Sequence, residues 1–423
     1  MARCGRAWAA KARGASVSAV PLGARIARTD PLFARVSGAM FFAGFSIFGA
    51  LYGVQPLMPA FAKSFSVSPA AASLTLSATT GALAVPNFAS GAVARRVGRK
   101  RLMAASLAAT FIATALGALT ADYAQFVASR ALVGLVLAGV PAVAMAYLVE
   151  EIEPAAVGTA MGLYISGSVI GGLTGRLIAA MIADAYGWRW AVVAVSGMAA
   201  LGALWIQAAL PSGRGALRAA PPPRPLRATL RAHLADPGLR WLFAEGFVLM
   251  GAFVSTYNYV GFRLSRAPFE FSQTTIGFLF TLYLLGAVSS TAMGSLAGRF
   301  GRRNVLWIAT ALPPIGVLVT LPDSVPFIVA GVALITLGFF GGHSIASSWV
   351  GLRAESGRTE ASALYLFFYY AGSSLVGTFV GAIYGAYAWP GVAAFLFVLT
   401  SVGFLIALRL STIPPPAHLQ PPT

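Results

Sequence analysis

Three charged residues stand inside long apolar stretches of this chain: Arg130, Arg176 and Glu245. Removing a charge from water is costly, so each needs a partner, a cavity or a task. A carboxyl in such a place can take up and release a proton. A guanidinium carries five donors and a permanent charge, so it can hold an anion or gather carbonyls. Polar side chains able to hydrogen-bond a small solute accompany them, namely Gln55 ahead of Pro56 and the run Tyr257, Asn258 and Tyr259. Two readings are open for each charge. Glu245 could carry a proton, and Arg130 and Arg176 could face an electropositive pocket. Alternatively, Arg130 could snorkel toward Asp122 and Arg176 toward Asp184, while Glu245 serves as a helix-start anion near Arg231 and Arg240.

The medium around these residues follows from composition. Of 423 residues, 58% are hydrophobic and only 10% charged, and the mean hydropathy is +0.77, well above the apolar fraction of ordinary globular chains. Windows of about 20 apolar residues predict spans near 38–60, 71–94, 102–120, 125–149, 158–182, 189–210, 240–262, 274–297, 304–321, 326–349, 361–385 and 390–410. The expected architecture is an all-α integral membrane protein of twelve helices, six in each half. Between the halves lies a polar segment, 211–239, with Pro221, Pro222, Pro223 and Pro225. Such composition reads as a linker. The organisation expected is therefore a basic disordered tail at 1–37, bundles at 38–210 and 240–410, and a short tail at 411–423.

Charge then sets orientation. Of the 30 Lys and Arg residues, only Lys63, Arg189, Arg263 and Arg266 fall in segments on one side, and Arg130 and Arg176 lie within spans. The rest flank the other side, which the positive-inside rule assigns to the cytoplasm together with both termini. A bacterial inner-membrane protein is expected. The net charge of +18 is thus a topological signal and no mark of a nucleic-acid partner. The Arg- and Ser-rich start could be a transit sequence, and the alternative is a tail whose arginines meet anionic lipid. One cysteine, Cys4, and three scattered histidines leave no disulfide framework, metal site or expected cofactor. A membrane-embedded enzyme would need acids, histidines or a nucleophile converging at one depth, and a channel or sensor would need charge rings or a soluble signalling domain. Neither pattern is found. The expected partners are a small-molecule substrate, protons and the lipid bilayer, with the chain acting as a monomer.

One motif occurs twice, as Gly91-Ala92-Val93-Ala94-Arg95-Arg96-Val97-Gly98-Arg99-Lys100-Arg101 and as Gly294-Ser295-Leu296-Ala297-Gly298-Arg299-Phe300-Gly301-Arg302-Arg303-Asn304. Duplication of a basic turn between apolar spans indicates two structural repeats. Gly98 and Gly301 would permit the turn, while Gly91 and Gly294 would let helices approach closely. On these residues the chain resembles the major facilitator superfamily over 38–410, whose loop between spans two and three has the form Gly-x-x-x-Asp-Arg-x-Gly-Arg-[Lys/Arg]-[Lys/Arg]. Arg95 stands where the family has Asp. The resemblance implies a latch at this loop, so an acid must come from elsewhere, and Glu150, Glu151 and Glu153 are the candidates to pair with Arg95 to Arg101, including Arg96, Arg99 and Lys100.

In span five, Gly158, Gly167, Gly171, Gly172 and Gly175 resemble the superfamily's antiporter motif, with Gly172 in place of its Pro and Arg176 in place of its last Gly. That match implies export; the plainer reading is helix packing against the other half. Arg130 in Arg130-Ala131-Leu132-Val133-Gly134 matches the span-four Arg-x-x-x-Gly motif, which the family associates with proton coupling. Spans one, four, seven and ten line the family's central cavity, which implies Gln55, Arg130, Tyr257, Asn258 and Tyr259 as cavity residues, joined by Arg176. No acid lies in the first span, so lipophilic cations are disfavoured and neutral or anionic compounds fit better. The runs around Tyr52 to Pro56, Met161 to Gly167, Phe243 to Phe247 and His343 to Trp349 resemble the bacterial YnfM branch, also labelled acriflavine-sensitivity or arabinose-efflux-like. The function implied is proton-coupled efflux by alternating access, with proton-driven uptake of a sugar or organic anion as the alternative.

Overall fold

The computed structural model describes residues 25–211 and 226–414, and these are helical nearly throughout. Among the described residues, nine helices are long and apolar enough to cross a membrane. The longest, Arg358–Thr412, breaks at Ala388, where φ is 49° and ψ −149°, so it covers the eleventh expected span (358–387) and the twelfth (389–412). The second span is helical at Pro69–Ala84 and Ser90–Val97, and the ninth at Arg302–Val319. The others are the first, Pro31–Phe65, the third, Arg99–Ala118, the fourth, Tyr123–Glu151, and the sixth, Trp188–Ala209. In the second half come the seventh, Pro237–Leu264, the eighth, Gln273–Phe300, and the tenth, Val325–Arg353. The fifth is a single uninterrupted helix, Pro154–Tyr186. Spans one to six pack mainly on one another, as do seven to twelve. Leucines such as Leu116, Leu201 and Leu204 stand exposed on the outside, a surface that suits lipid and would aggregate in water.

The two halves repeat the same local devices. Asp30 and Asp236 cap the first and seventh spans, each accepting from an amide of the opening turn, with a proline at the first helical position. Gly98 and Gly301 hold φ of 89° and 87° between spans two and three and between eight and nine, a left-handed conformation that side-chain-bearing residues resist. One end of the molecule therefore carries both basic turns. It is called the basic end below, and the opposite one the far end.

The tightest packing is between spans one and five. A β-carbon at Gly167 or Gly171 would overlap the carbonyls of Phe41 and Phe45, and one at Gly175 would lie 2.8 Å from the Gly49 α-carbon. The glycine motif is thus a packing face toward the first span of its own half, not toward the other half. Gly158 stands apart from it, with nothing within 4 Å of an added β-carbon. Span eleven repeats the arrangement on span seven, where Gly372 meets the Phe247 carbonyl. Four residues further along, the roles trade: Gly171 faces the Phe45 backbone in the first half, but Val376 faces Gly251 in the second.

Several expectations need correction. The first helix begins at Pro31 rather than 38, because the Asp30 cap and buried Phe33 and Val36 outweigh the nearby arginines. Residues 25–30 are also ordered: Ile26 donates to Glu151 O at 2.7 Å and accepts from Glu153 N at 3.1 Å. The rest of the expected tail, 1–24, lies outside the described residues, as do 212–225 and 415–423. Part of the expected linker is helical, Leu226–Ala235. Gly91 does not serve close helix approach, since an added β-carbon would meet only Arg95 Nη1 at 4.0 Å, and at Gly294 the contact is an ordinary 3.6 Å to Ser344.

Asp236 does more than cap. Its carboxylate takes a two-pronged ion pair from Arg353 at the end of span ten, at 2.6 and 3.1 Å. Partial burial pushes the Asp236 carboxyl up, but the Arg353 guanidinium and the Leu239 amide outweigh that and hold it below the ordinary value. The folded state then gains stability that is complete above the unfolded carboxyl's value, about 3.9, and is lost as pH falls through the lower folded value. In melts of detergent-solubilised protein, Asp236→Asn should cost about 1–3 kcal/mol at neutral pH, and the gap to wild type should close below about pH 4. A second check concerns the glycine face: Gly171→Ala should destabilise by about 1–3 kcal/mol through overpacking. Gly158→Ala should be neutral or slightly stabilising, because a helical glycine is replaced in open space.

Candidate functional site

The first span ends at Tyr52 and passes through a short 3-10 turn, Gln55–Leu57, before resuming at Met58. A helix end leaves carbonyls without intrahelical donors. Arg130 supplies two of them from span four, its Nη2 donating to Ala50 O at 3.3 Å and Leu51 O at 3.1 Å. Its Nε donates to Thr75 O at 3.2 Å, and Thr79 returns a bond to Arg130 O at 2.9 Å. Arg130 is fully buried, and its Nη1 has no partner among the described residues. It ties spans one, two and four together through main-chain carbonyls and does not turn toward Asp122.

Gln55, placed by the same turn, is the hub of a second group. Its Oε1 accepts from Arg176 Nε at 2.9 Å, and its Nε2 donates to Asn258 Oδ1, across in the other half, at 2.8 Å. Arg176 Nη2 also crosses the boundary, donating to Tyr283 Oη at 3.2 Å. The guanidinium carbon lies 4.6 to 5.0 Å from the ring centres of Tyr52, Phe280 and Tyr283, a geometry in which ring faces attract a cation. Nη1 donates to Gly172 O at 2.8 Å. The two positions that depart from the antiporter pattern therefore touch. A β-carbon at 172 would sit 3.1 Å from Arg176 Nη1.

The expected site residues consequently divide. Gln55, Arg176 and Asn258 come together, and Tyr257 joins through rings, 5.0 Å from both Phe280 and Tyr283, with its hydroxyl 2.8 Å from Thr336 Oγ1. Tyr259 does not belong to the group. Its hydroxyl donates to Gly377 O at 2.5 Å within the second half, and its ring packs on Phe262 and Tyr384. Tyr283 and Phe280 lie on span eight, outside the spans one, four, seven and ten that the resemblance implies as the cavity lining. The signal was available in the pattern, as Tyr283 is a lone polar ring between apolar neighbours.

Glu245 lies elsewhere again, fully buried in the second half between spans seven and twelve. Gly403 faces it: an added β-carbon there would lie 3.5 and 3.8 Å from its two oxygens. Neither oxygen has a hydrogen-bond partner among the described residues. It lines a narrow cavity with Val248, Thr310, Pro313, Thr400 and Gly403. The helix-start reading near Arg231 and Arg240 does not hold, because the side chain points into the bundle. His343 bonds Tyr365 Oη at 2.9 Å, stacks on Phe339 and packs at a tilt against Tyr369.

The ends of the molecule differ. At the far end Asp184, in the last turn of span five, accepts from the amides of Gln273 and Thr274 at 3.0 and 2.7 Å and so caps span eight of the other half. Asp184 thus does not receive Arg176. Ser374 donates to Ser77 O at 2.9 Å nearer the middle. These polar bonds between the halves lie at mid-depth or toward the far end, while toward the basic end the rings of Phe88 and Phe367 meet across the boundary, centres 6.0 Å apart. At the basic end Arg99 pairs with Glu150 inside the first half, while Arg95 and Arg96 are exposed and Glu151 is buried. The pairing expected of Glu150 is present. It is a surface ion pair of roughly 0–1 kcal/mol.

Two bundles of like design, meeting around buried polar groups, have a counterpart among known sequences. The sequence pattern of the Major Facilitator Superfamily matches residues 40–267 and 264–423. The chain belongs to this superfamily. It is 42% identical to the inner membrane transport protein YnfM of Escherichia coli (strain K12), over 91% of this chain and 92% of that one. It is 37% identical to the uncharacterized transporter YybF of Bacillus subtilis (strain 168), over 91% and 95%. Among solved structures, an inward-facing bacterial homologue of the human lysosomal transporter Spinster superposes with a TM-score of 0.75 at 16% identity, covering 90% of this chain and 98% of that one. The protein is a multi-pass membrane transporter and not an enzyme.

The Asp184 cap gives this superfamily member a testable clasp. In purified transporter carrying Cys4→Ser and Ser77→Cys, adding Asp184→Ala should raise the labelling rate of the buried Ser77→Cys thiol by a polar reagent roughly three- to tenfold, the loss of about 1 kcal/mol of closure.

Proposed function

We propose that the chain exports small neutral or anionic compounds across the bacterial inner membrane in exchange for protons, by alternating access, with its termini and basic end in the cytoplasm. The observation that carries this reading is the set of polar bonds between the halves, which lies at mid-depth and at the far end. A solute reaching the middle from the basic end would meet Gln55, Arg176 and Asn258. Breaking their cross-half bonds would open the opposite route, so occupancy of the site and orientation of the halves are linked. The distribution of basic residues supports the orientation. The span-five glycine face, in its likeness to the antiporter motif, supports export.

Proton coupling is assigned to Glu245 and Arg130. An unpaired carboxylate in the interior is costly, so gain or loss of a proton at Glu245 changes how span twelve packs on span seven. Arg130 holds the broken end of the first span, and thereby Gln55, in place. In proteoliposomes with an imposed pH gradient, a panel of neutral and anionic compounds should evoke proton movement opposite to compound flux, and Glu245→Gln should lower it at least tenfold while leaving the fold intact. Parallel movement would make the protein an importer. Compound flux with no proton movement in wild type would refute the coupling.

A further inference from the structure

Arg176 is 98% buried by its 2% exposure, and no carboxylate bonds to it among the described residues. Of the chain's 12 acidic residues, 11 lie in loops or at helix ends and only Glu245 is well inside a span, where Val248 and Gly403 surround it. The charge is therefore balanced by neutral groups alone: an amide oxygen, a carbonyl, a hydroxyl and three ring faces. Three of a guanidinium's five donors are engaged this way and two are left. Further unused donors stand nearby. Tyr52 Oη and Asn258 Nδ2 are both buried and without a partner in the described residues. Tyr52 is one of the rings over Arg176, and Asn258 shares Gln55 with it.

We infer that this group is an anion site and that the substrate is an organic anion, with a carboxylate or sulfonate head and a flat apolar body. The inference rests on the transport reading above and narrows its substrate class. A permanent charge plus unused donors calls for a ligand rich in acceptors and negatively charged. A neutral ligand would leave the arginine's charge unmatched, and a cation would be repelled. The rings of Tyr52, Phe280 and Tyr283 offer faces for a flat body as well as for the guanidinium. Gly172 belongs to the same device: lacking a side chain, it leaves room for Arg176 and offers its carbonyl, so the two departures from the antiporter pattern convert a glycine face into an anion holder. The direction also agrees, since an interior-negative membrane potential assists the exit of anions.

The test compares matched probes on purified full-length transporter. Benzoate, benzenesulfonate and 2-naphthoate are titrated against the neutral twins benzamide and 2-naphthamide and the cation benzamidine, with thermal stabilisation as the readout. The anions should stabilise the protein at concentrations at least tenfold below their neutral twins, and benzamidine should not stabilise it. Arg176→Gln should abolish the difference and Arg176→Lys should keep part of it. Tyr52→Phe, which retains the ring and removes only the hydroxyl, should weaken anion binding roughly threefold to tenfold and decides the matter if Arg176→Gln fails to fold. Anions binding no better than their amides, or Arg176→Gln keeping the preference, overturns the inference. The best probe is then tried for proton movement in proteoliposomes. Anion binding without proton movement would fail the coupling reading and leave the anion site standing; proton movement evoked by the amides and not by the anions would leave coupling standing and remove the anion site.

Discussion

The backbone-on-backbone crossing of spans one and five sets the position of everything at the centre of this transporter. Gly167, Gly171 and Gly175 allow the fifth span to lie against Phe41, Phe45 and Gly49 with no side chains between. In lipid, helix association gains nothing from expelling water, so such close approach is a main source of cohesion. Four residues past Gly172 the same helix presents Arg176, and just past Gly49 the first span breaks and presents Gln55. Their 2.9 Å hydrogen bond exists because the two backbones are held at contact distance one turn away.

The two buried arginines show how differently one residue type can be accommodated without a counter-charge. Arg130 takes carbonyls released where the first span ends, and so joins three helices of one half. Arg176 takes side chains and ring faces drawn from both halves. The first arrangement is indifferent to how the halves sit; the second depends on it. A charge whose solvation is supplied partly by the opposite bundle loses that supply whenever the bundles part, which makes Arg176 sensitive to orientation in a way that Arg130 is not.

Most of the helices were legible in the sequence because crossing a membrane demands a long uninterrupted apolar run, and such runs survive averaging over a window. Their ends were less so. Arg28 and Arg35 diluted the window that should have started at Pro31, and the short helix Leu226–Ala235 lay within a stretch whose prolines suggested a linker. The candidate site was half visible. Embedded charges announce themselves by type, so Arg130, Arg176 and Glu245 stood out, but their partners did not. Main-chain carbonyls carry no residue signature, and a face of glycines reveals that something packs closely without saying what. Hence the glycine motif was placed on the correct helix while its partner, the first span of the same half, emerged only from the fold. Tyr259 was misplaced because adjacent residues on a helix point about 100° apart, so a row of three polar side chains cannot share one face.

The close helix crossings of the two repeats are alike but not interchangeable. Gly171 meets the Phe45 backbone in one half, whereas Gly251 receives the Val376 side chain in the other. The halves follow one plan but place the glycine of this contact on opposite members of the helix pair. Exchanging one helix between the repeats would set Val376 against Phe45 or Gly171 against Gly251. The two copies thus share a crossing but not its chemistry, so a helix of one repeat is no ready replacement for its counterpart in the other.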